Sequence, residues 1–337
     1  MSILRITRRK FLGSALLSSG LALPLRAQEA HYHAAAKERE IHSDPDELSN
    51  AIRQGLSNKV MRLSGLDPMR YLTAFDYGTV TSVNSRTVRE FTLVLAENRI
   101  EIAPGIYFTA WTYNSSVPGP TLRCTEGDLL RVRLVNLSRS EHTIHFHGIH
   151  ASSMDGVYEA VQPGGEGLYE FTAEPAGLQF YHCHTVPVGL HMNRGLFGAF
   201  IIDPRVPGAE AHEMMMVLHG WDTNFDGKNE VYAINGGANF YRDNPIPLSA
   251  GKLVRIYLIN ALEYEPLETF HIHANFFRLF RTGSRTAVDN YTDIVSLGQA
   301  ERCSLEFTYN LPGLFMFHSH RSVAAERGMM GHFNVSI

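Results

Sequence analysis

The chain has 337 residues, 44% of them hydrophobic and 19% charged, which is room for two compact domains with cores of their own and too much for one small domain. A formal net charge of −4, with no Lys/Arg block beyond the N-terminus, excludes the electrostatic footprint of a nucleic-acid binder, and no apolar run past the first thirty or so residues reaches the length of a membrane span. Three cysteines, Cys124, Cys183 and Cys303, cannot staple a chain of this size, whereas 17 histidines make their placement the question that decides function.

Residues 1–27 carry a basic stretch (Arg5, Arg8, Arg9, Lys10), an apolar run from Phe11 to Leu25, and Ala27 before polar Gln28. That layout predicts an export signal, and the Arg8–Arg9 pair within Thr7-Arg8-Arg9-Lys10-Phe11-Leu12 resembles the twin-arginine type, so a periplasmic or otherwise exported protein without stable membrane insertion is expected. Residues 28–75 read as a partly helical extension. Asp44 is placed to cap a helix with Pro45 in its first turn and Glu47 three residues after the cap, running to about Leu63. Beyond that, short alternating runs of Val, Ile, Thr, Tyr and Phe punctuated by Gly, Pro and Asn predict β-sandwich structure.

The β-rich region repeats itself. Gly127-Asp-Leu-Leu-Arg-Val-Arg-Leu-Val-Asn136 matches Gly251-Lys-Leu-Val-Arg-Ile-Tyr-Leu-Ile-Asn260, and His145-Phe-His147 matches His271-Ile-His273. Tyr181-His-Cys-His184 matches Phe317-His-Ser-His320, and Arg194-Gly-Leu-Phe-Gly198 matches Arg327-Gly-Met-Met-Gly331. Two homologous sandwich domains, 76–204 and 205–337, are the economical reading.

Four His-x-His pairs stand in register with this repeat: His145/His147, His182/His184, His271/His273 and His318/His320. On a strand, residues i and i+2 share a face, so each pair offers two imidazoles to one side, and imidazole suits copper, zinc, iron and nickel. Eight imidazoles exceed the need of one tetrahedral ion and point to a cluster of about three metals where one domain meets another. Alternation sends Cys183 to the opposite face from His182 and His184. With His142 three residues ahead of the first pair and His191 eight residues after the cysteine, it makes a His₂Cys set, the donor combination of blue-copper electron-transfer sites.

His142-x-x-His145-x-His147-Gly148 with Tyr-His-Cys-His and the glycine motif that follows resembles the multicopper oxidases, in particular the two-domain laccase-type members, over roughly residues 76–337. The resemblance implies an all-β fold of two tandem cupredoxin-like Greek-key sandwiches behind a short helical N-terminal segment. It implies about four copper ions per chain. His142, Cys183 and His191 then resemble type 1 ligands, His145 and His271 type 2 ligands, and His147, His182, His184, His273, His318 and His320 those of the type 3 pair.

In the second copy Ser319 replaces the cysteine and Glu268 the leading histidine, so the type 1 copper belongs to domain 1. Leu196 stands where many members carry an axial methionine, and an apolar axial residue implies a higher reduction potential; Met192 is a rival for that position. Asp155 matches an acidic residue that family members place near the cluster as a proton donor, with Glu326 a second candidate. His150, His212, His219 and His332 fall outside the paired pattern and read as structural or surface residues, and Cys124 and Cys303 read as buried thiols with a bridge between them left open. Asp222-x-Asn224-x-Asp226-Gly227 is similar to the start of a calcium loop but has no glutamate at the twelfth position, which favours a turn.

The resemblance implies an oxidase: a reducing substrate gives single electrons at the type 1 copper, they pass through Cys183 to His182 and His184, and O₂ is reduced to water at the trinuclear cluster with Asp155 assisting protonation. Donors could be phenols, aromatic amines, metal ions or a small redox protein, and family members of this length close head-to-tail as homotrimers with clusters between subunits. Copper-containing nitrite reductase is the alternative enzyme, for which the paired histidines would be surplus. An exported copper-binding protein without turnover is the alternative of another class.

Overall fold

A computed structural model describes residues 67–283 and 287–337. The predicted export signal and the helix expected over residues 44–63 lie outside the described residues. The first half contains β1 (Phe75–Asp76), β2 (Thr79–Val83), β3 (Arg86–Ala103), β4 (Ile106–Tyr113), β5 (Gly119–Thr125), β6 (Leu129–Asn136), β7 (His145–Phe146), β8 (Glu166–Thr172), β9 (Gly177–His182) and β10 (Phe197–Asp203). The second contains β11 (His212–Trp221), β12 (Val231–Ile234), β13 (Ile246–Ser249), β14 (Val254–Asn260), β15 (Leu267–Ile272), β16 (Phe277–Arg281), β17 (Asn290–Thr292), β18 (Ile294–Gly298), β19 (Arg302–Phe307), β20 (Gly313–His318) and β21 (Met330–Ser336). The α-helices are short: α1 (Pro68–Tyr71), α2 (Val188–Asn193), α3 (Phe240–Asp243) and α4 (Ser322–Glu326).

The two halves use one topology twice. In the first, one sheet runs β1-β5-β10-β9-β7 and the facing one β2-β3-β6-β8, with β4 paired to β3; in the second, the sheets run β13-β21-β20-β15-β18 and β12-β11-β14-β19-β16-β17. The parallel ladders β5–β10 and β3–β6 recur as β13–β21 and β11–β14, which is how a Greek-key sandwich returns a strand beside an earlier one. The two copies of the Gly-to-Asn repeat lie on β6 and β14. Each ends in a fully buried asparagine whose side-chain amide holds two carbonyls: Asn136 donates to those of Ser140 and Val161, and Asn260 to those of Leu297 and Gly298 at the end of β18.

Alternation explains the cores. On β6, Leu130, Val132 and Leu134 point inward to meet Phe91, Leu93, Leu122, Phe146 and Phe200 between the first two sheets. Met214, Met216, Leu218, Ile256, Phe270 and Phe317 fill the second sandwich. A third cluster draws on both halves, with Phe108, Phe180, Phe197 and Ile201 against Met215, Val217, Trp221 and Tyr257. Arg123 of β5 reinforces that seam by pairing with Asp203 at 2.7 Å and with Glu213 of β11 at 2.6 Å. The glycine of each Arg-Gly motif is required by close approach. Gly195 has φ +112° and a side chain there would begin 2.9 Å from the Trp111 carbonyl oxygen; Gly328 has φ +131° and would begin 2.2 Å from that of Tyr232.

Candidate metal centres

Strand register brings the first four paired histidines together. On the antiparallel pair β7–β9, His145 lies opposite His182 and Phe146 opposite Tyr181. Side chains directly opposite share a face, so His145, His147, His182 and His184 project to one side while Phe146, Tyr181 and Cys183 turn into the core. Ring centroids of His145 lie 5.0, 5.2 and 5.4 Å from those of His147, His182 and His184. His147 Nε2 and His182 Nε2 face each other at 3.3 Å.

The second half repeats the arrangement. His271 lies opposite His318 on β15–β20, and its ring sits 5.0, 5.4 and 5.5 Å from those of His273, His318 and His320. His273 Nε2 is 3.0 Å from His318 Nε2. His273 and His320 are exposed, whereas the corresponding His147 and His184 are only partly so. Among the described residues, no ring contact joins one group of four to the other.

Backbone carbonyls orient these rings. Nδ1 of His145 and of His271 each lie 2.8 Å from the carbonyl oxygen of an aspartate, Asp155 and Asp293 respectively. Nδ1 of His182 is 2.9 Å from the Cys183 carbonyl and Nδ1 of His318 is 2.6 Å from that of Ser319. A proton held on Nδ1 leaves Nε2 as a lone-pair donor, which is how ligating histidines are commonly set. Burial, together with its neighbour His182, pushes His147 down to about 3, and burial pushes His182 down to about 4. These rings are therefore neutral at pH 7, the form that binds metal.

Cys183 lies on the other face. Its Sγ is 3.2 Å from His191 Nδ1 and 3.8 Å from His142 Nδ1, and the two nitrogens are 3.1 Å apart. The Thr143 amide donates to the sulfur at 3.5 Å. His142 and Cys183 are fully buried and His191 is 4% exposed. Burial holds His142 down at about 3 and His191 at about 4, and raises the Cys183 thiol. Two neutral imidazole nitrogens and a thiol converging in an apolar pocket satisfy one another poorly, but they form a three-point cradle for a thiolate-stabilising cation. His142 Nε2, on the far side of its ring, is buried without a partner.

Helix α2 presents His191, and the helix is latched from the second half. Asn193 donates to the Gly220 carbonyl at 3.1 Å and to Asn229 Oδ1 at 3.0 Å, and accepts from the Asp222 amide at 3.2 Å. Trp111 of β4 closes the opposite side, its ring centroid 5.0 Å from that of His142 and 4.7 Å from that of His191. Leu196 packs in the same apolar cluster as Cys183, and its carbonyl accepts the Cys183 amide at 3.0 Å; Met192 points into the cluster shared between the halves.

Of the remaining candidates, Asp155 Oδ1 is 3.2 Å from His145 Nδ1. Glu326 is exposed at the end of α4. His219 is fully buried, and Cys124 and Cys303 are buried free thiols. Asp222, Asp226 and Glu230 bring carboxylate oxygens within 4.8 Å of one another, with loop amides bound to each carboxylate. Sequence reasoning did not single out Trp111, Asn193 or Asp293. A signal existed for a further pair. Thr143 and Thr269, each two residues before the first histidine of a pair, accept the amides of His184 and His320 at 2.9 and 2.8 Å.

Residues 96–207 and 214–337 match two family models, each described as multicopper oxidase. A copper-containing nitrite reductase of Neisseria gonorrhoeae is 25% identical over 284 residues, covering 77% of this chain and 69% of that protein. Copper resistance protein A of Escherichia coli is 34% identical over 139 residues, 39% of this chain and 22% of that protein. Among solved structures, a crystal structure of a multicopper oxidase has 42% identity and a TM-score of 0.79, covering 82% of this chain and 99% of its own. A copper nitrite reductase from Nitrosomonas europaea has 26% identity and a TM-score of 0.69, covering 74% and 94%.

Proposed function

From its membership of the multicopper oxidase family, to which the chain belongs, we propose that this copper oxidoreductase is a laccase-like oxidase coupling one-electron oxidation of a small reducing substrate to the four-electron reduction of O₂ to water. The observation that carries this reading is the junction at Cys183. One residue joins a His₂Cys cradle on one face of β9 to two members of a four-histidine group on the other.

His142, Cys183 and His191 would hold a type 1 copper, with the apolar Leu196 packed in the same cluster as Cys183. The eight paired histidines would hold one type 2 and two type 3 ions, about four copper ions per chain in all. Bound copper would supply one-electron exchange at the first site and multi-electron chemistry at the second. The chain supplies the path between them: the backbone from Cys183 to His182 and His184, shortened by the hydrogen bond between His182 Nδ1 and the Cys183 carbonyl. Of the three residues in the cradle only His191, 4% exposed, is not fully buried, so a donor would approach from its side. Asp155, partly exposed and 3.2 Å from His145 Nδ1, would assist protonation.

Each chain holds its eight histidines as two separate groups of four. Their separation, with the exposure of His273 and His320, supports completion of each cluster by a second copy and a closed head-to-tail homotrimer. Export fits the N-terminal sequence. Among the described residues, no helix is long and apolar enough to cross a membrane.

Copper per chain in the fully metallated protein, with O₂ uptake on a phenol or aromatic diamine, tests the reading. About four ions with steady uptake support it. About two ions, with turnover of nitrite instead, would replace it with the nitrite reductase reading that the Neisseria relative suggests. Copper binding with neither activity would leave a copper-binding protein.

A further inference from the structure

The repeat puts Glu268 and Ser319 in the second half where His142 and Cys183 stand in the first: Glu268 three residues before His271, Ser319 between His318 and His320. The two positions still meet, through different chemistry. Ser319 Oγ donates a short hydrogen bond to Glu268 Oε1, and the Thr269 amide donates to the same oxygen at 2.7 Å. Arg321 completes the set. Its Nη1 lies 3.0 Å from Glu268 Oε2 and also meets Glu265, while its own amide donates to Ser319 Oγ at 3.0 Å. Glu268 is fully buried and Ser319 is 1% exposed.

A buried carboxylate is stable only when its charge and lone pairs are answered, and here a guanidinium, a hydroxyl and an amide answer them. The network ties β15, which carries His271 and leads to His273, to the end of β20, which carries His318 and leads to His320. In the first half the same two elements meet through His142 and Cys183, whose facing atoms are 3.8 Å apart and gain their full complement of partners only from a bound cation.

We propose that Glu268, Ser319 and Arg321 are positioning residues that clamp the second-half histidines in place without metal. The clamp does for His271, His273, His318 and His320 what the His₂Cys site does for their counterparts. The second half is then ordered before copper arrives, and the first half is completed by it. The inference rests on the reading of these histidines as copper ligands.

Hydrogen exchange on the copper-free full-length protein tests it, read by mass spectrometry and compared with copper content after reconstitution. Glu268→Ala and Ser319→Ala should speed exchange of the amides at 269–272 and 318–321 at least about tenfold, while 142–147 and 182–191 stay unchanged. Glu268→Gln keeps an acceptor for Ser319 and Thr269 and should fall between. After reconstitution the alanine variants should hold about one copper per chain, with the absorbance of the Cys183 site intact. Ser319→Ala removes a single hydroxyl, so the test survives if Glu268→Ala does not fold. Wild-type exchange rates and full copper content in Ser319→Ala and Glu268→Gln would overturn the clamp. A wild-type protein holding only about two coppers would count against the oxidase reading, and the copper-free exchange rates would still decide on the clamp.

Discussion

Acidification should destabilise the copper-free protein in part through one residue that binds no metal, His219. Its ring is fully buried on β11, with centroids 4.6 Å from Phe197 and 4.5 Å from Trp221. Neither ring nitrogen has a partner with hydrogen-bond geometry, although backbone of Ala261 and Asn193 lies close enough to favour the charged ring slightly. Burial lowers its pKa from 6.5 to about 3. The unfolded chain therefore takes up a proton below about pH 6.5 that the folded chain refuses, and stability is lost as pH falls from there toward about 3. At about pH 4.5 the loss is about 2.7 kcal/mol, at about 1.36 kcal/mol per pH unit. His219→Phe keeps an aromatic ring between Phe197 and Trp221 and removes the titration. Urea unfolding of both copper-free proteins at about pH 7.5 and 4.5 should show the variant gaining about 2.7 kcal/mol on the wild type between the two conditions. The depressed histidines at 142, 147, 182 and 191 titrate in both proteins and cancel in the difference. A stability gap equal at both pH values to within about 0.5 kcal/mol would refute the argument, since the folded state would then hold the proton.

Cys183→Ser should abolish the blue colour and substrate turnover together while about three coppers per chain remain, read by absorbance and metal analysis; retained oxidase activity would rule out the relay. Asn193→Ala removes three buried hydrogen bonds worth about 1 kcal/mol each, so the thermal midpoint should fall by about 6–12 °C. It should also alter the electron paramagnetic resonance spectrum of the site that includes His191, a change that lost stability alone would not produce. Arg123→Met takes the shared cation from Asp203 and Glu213 at the seam between the halves while Glu213 keeps Arg255, and should cost about 1–2 kcal/mol in urea unfolding, with copper content unchanged.

The local part of this architecture follows from spacing. His-x-His on a strand must put both rings on one face, and a cysteine between them must point the other way. An extended peptide of three residues already has that geometry, and the rings of His145 and His147, and of His182 and His184, lie accordingly. The repeat adds the correspondence of the halves, down to Thr143 with Thr269 and the glycines at 195 and 328, because the same backbone path imposes the same close approaches twice.

What lies far apart in the chain could not be read that way. Asp293 reaches His271 from 22 residues downstream through its main-chain carbonyl, an atom every residue type carries, so no residue pattern marks it. Asn193 and Trp111 are ordinary in sequence and acquire meaning only when β11 and β4 pack on either side of His191. That Leu196 shares the cluster of Cys183 while Met192 joins the one between the halves depends on how a six-residue helix and the turn after it sit on two sandwiches. By itself the sequence determined the β-sandwich repeat, legible as matching segments of the two halves, and the face each histidine pair shares, a consequence of period-two alternation along a single strand. The tertiary structure alone decided which side chains surround those histidines and that the eight fall into two groups of four, because contacts between distant segments depend on how whole sheets pack.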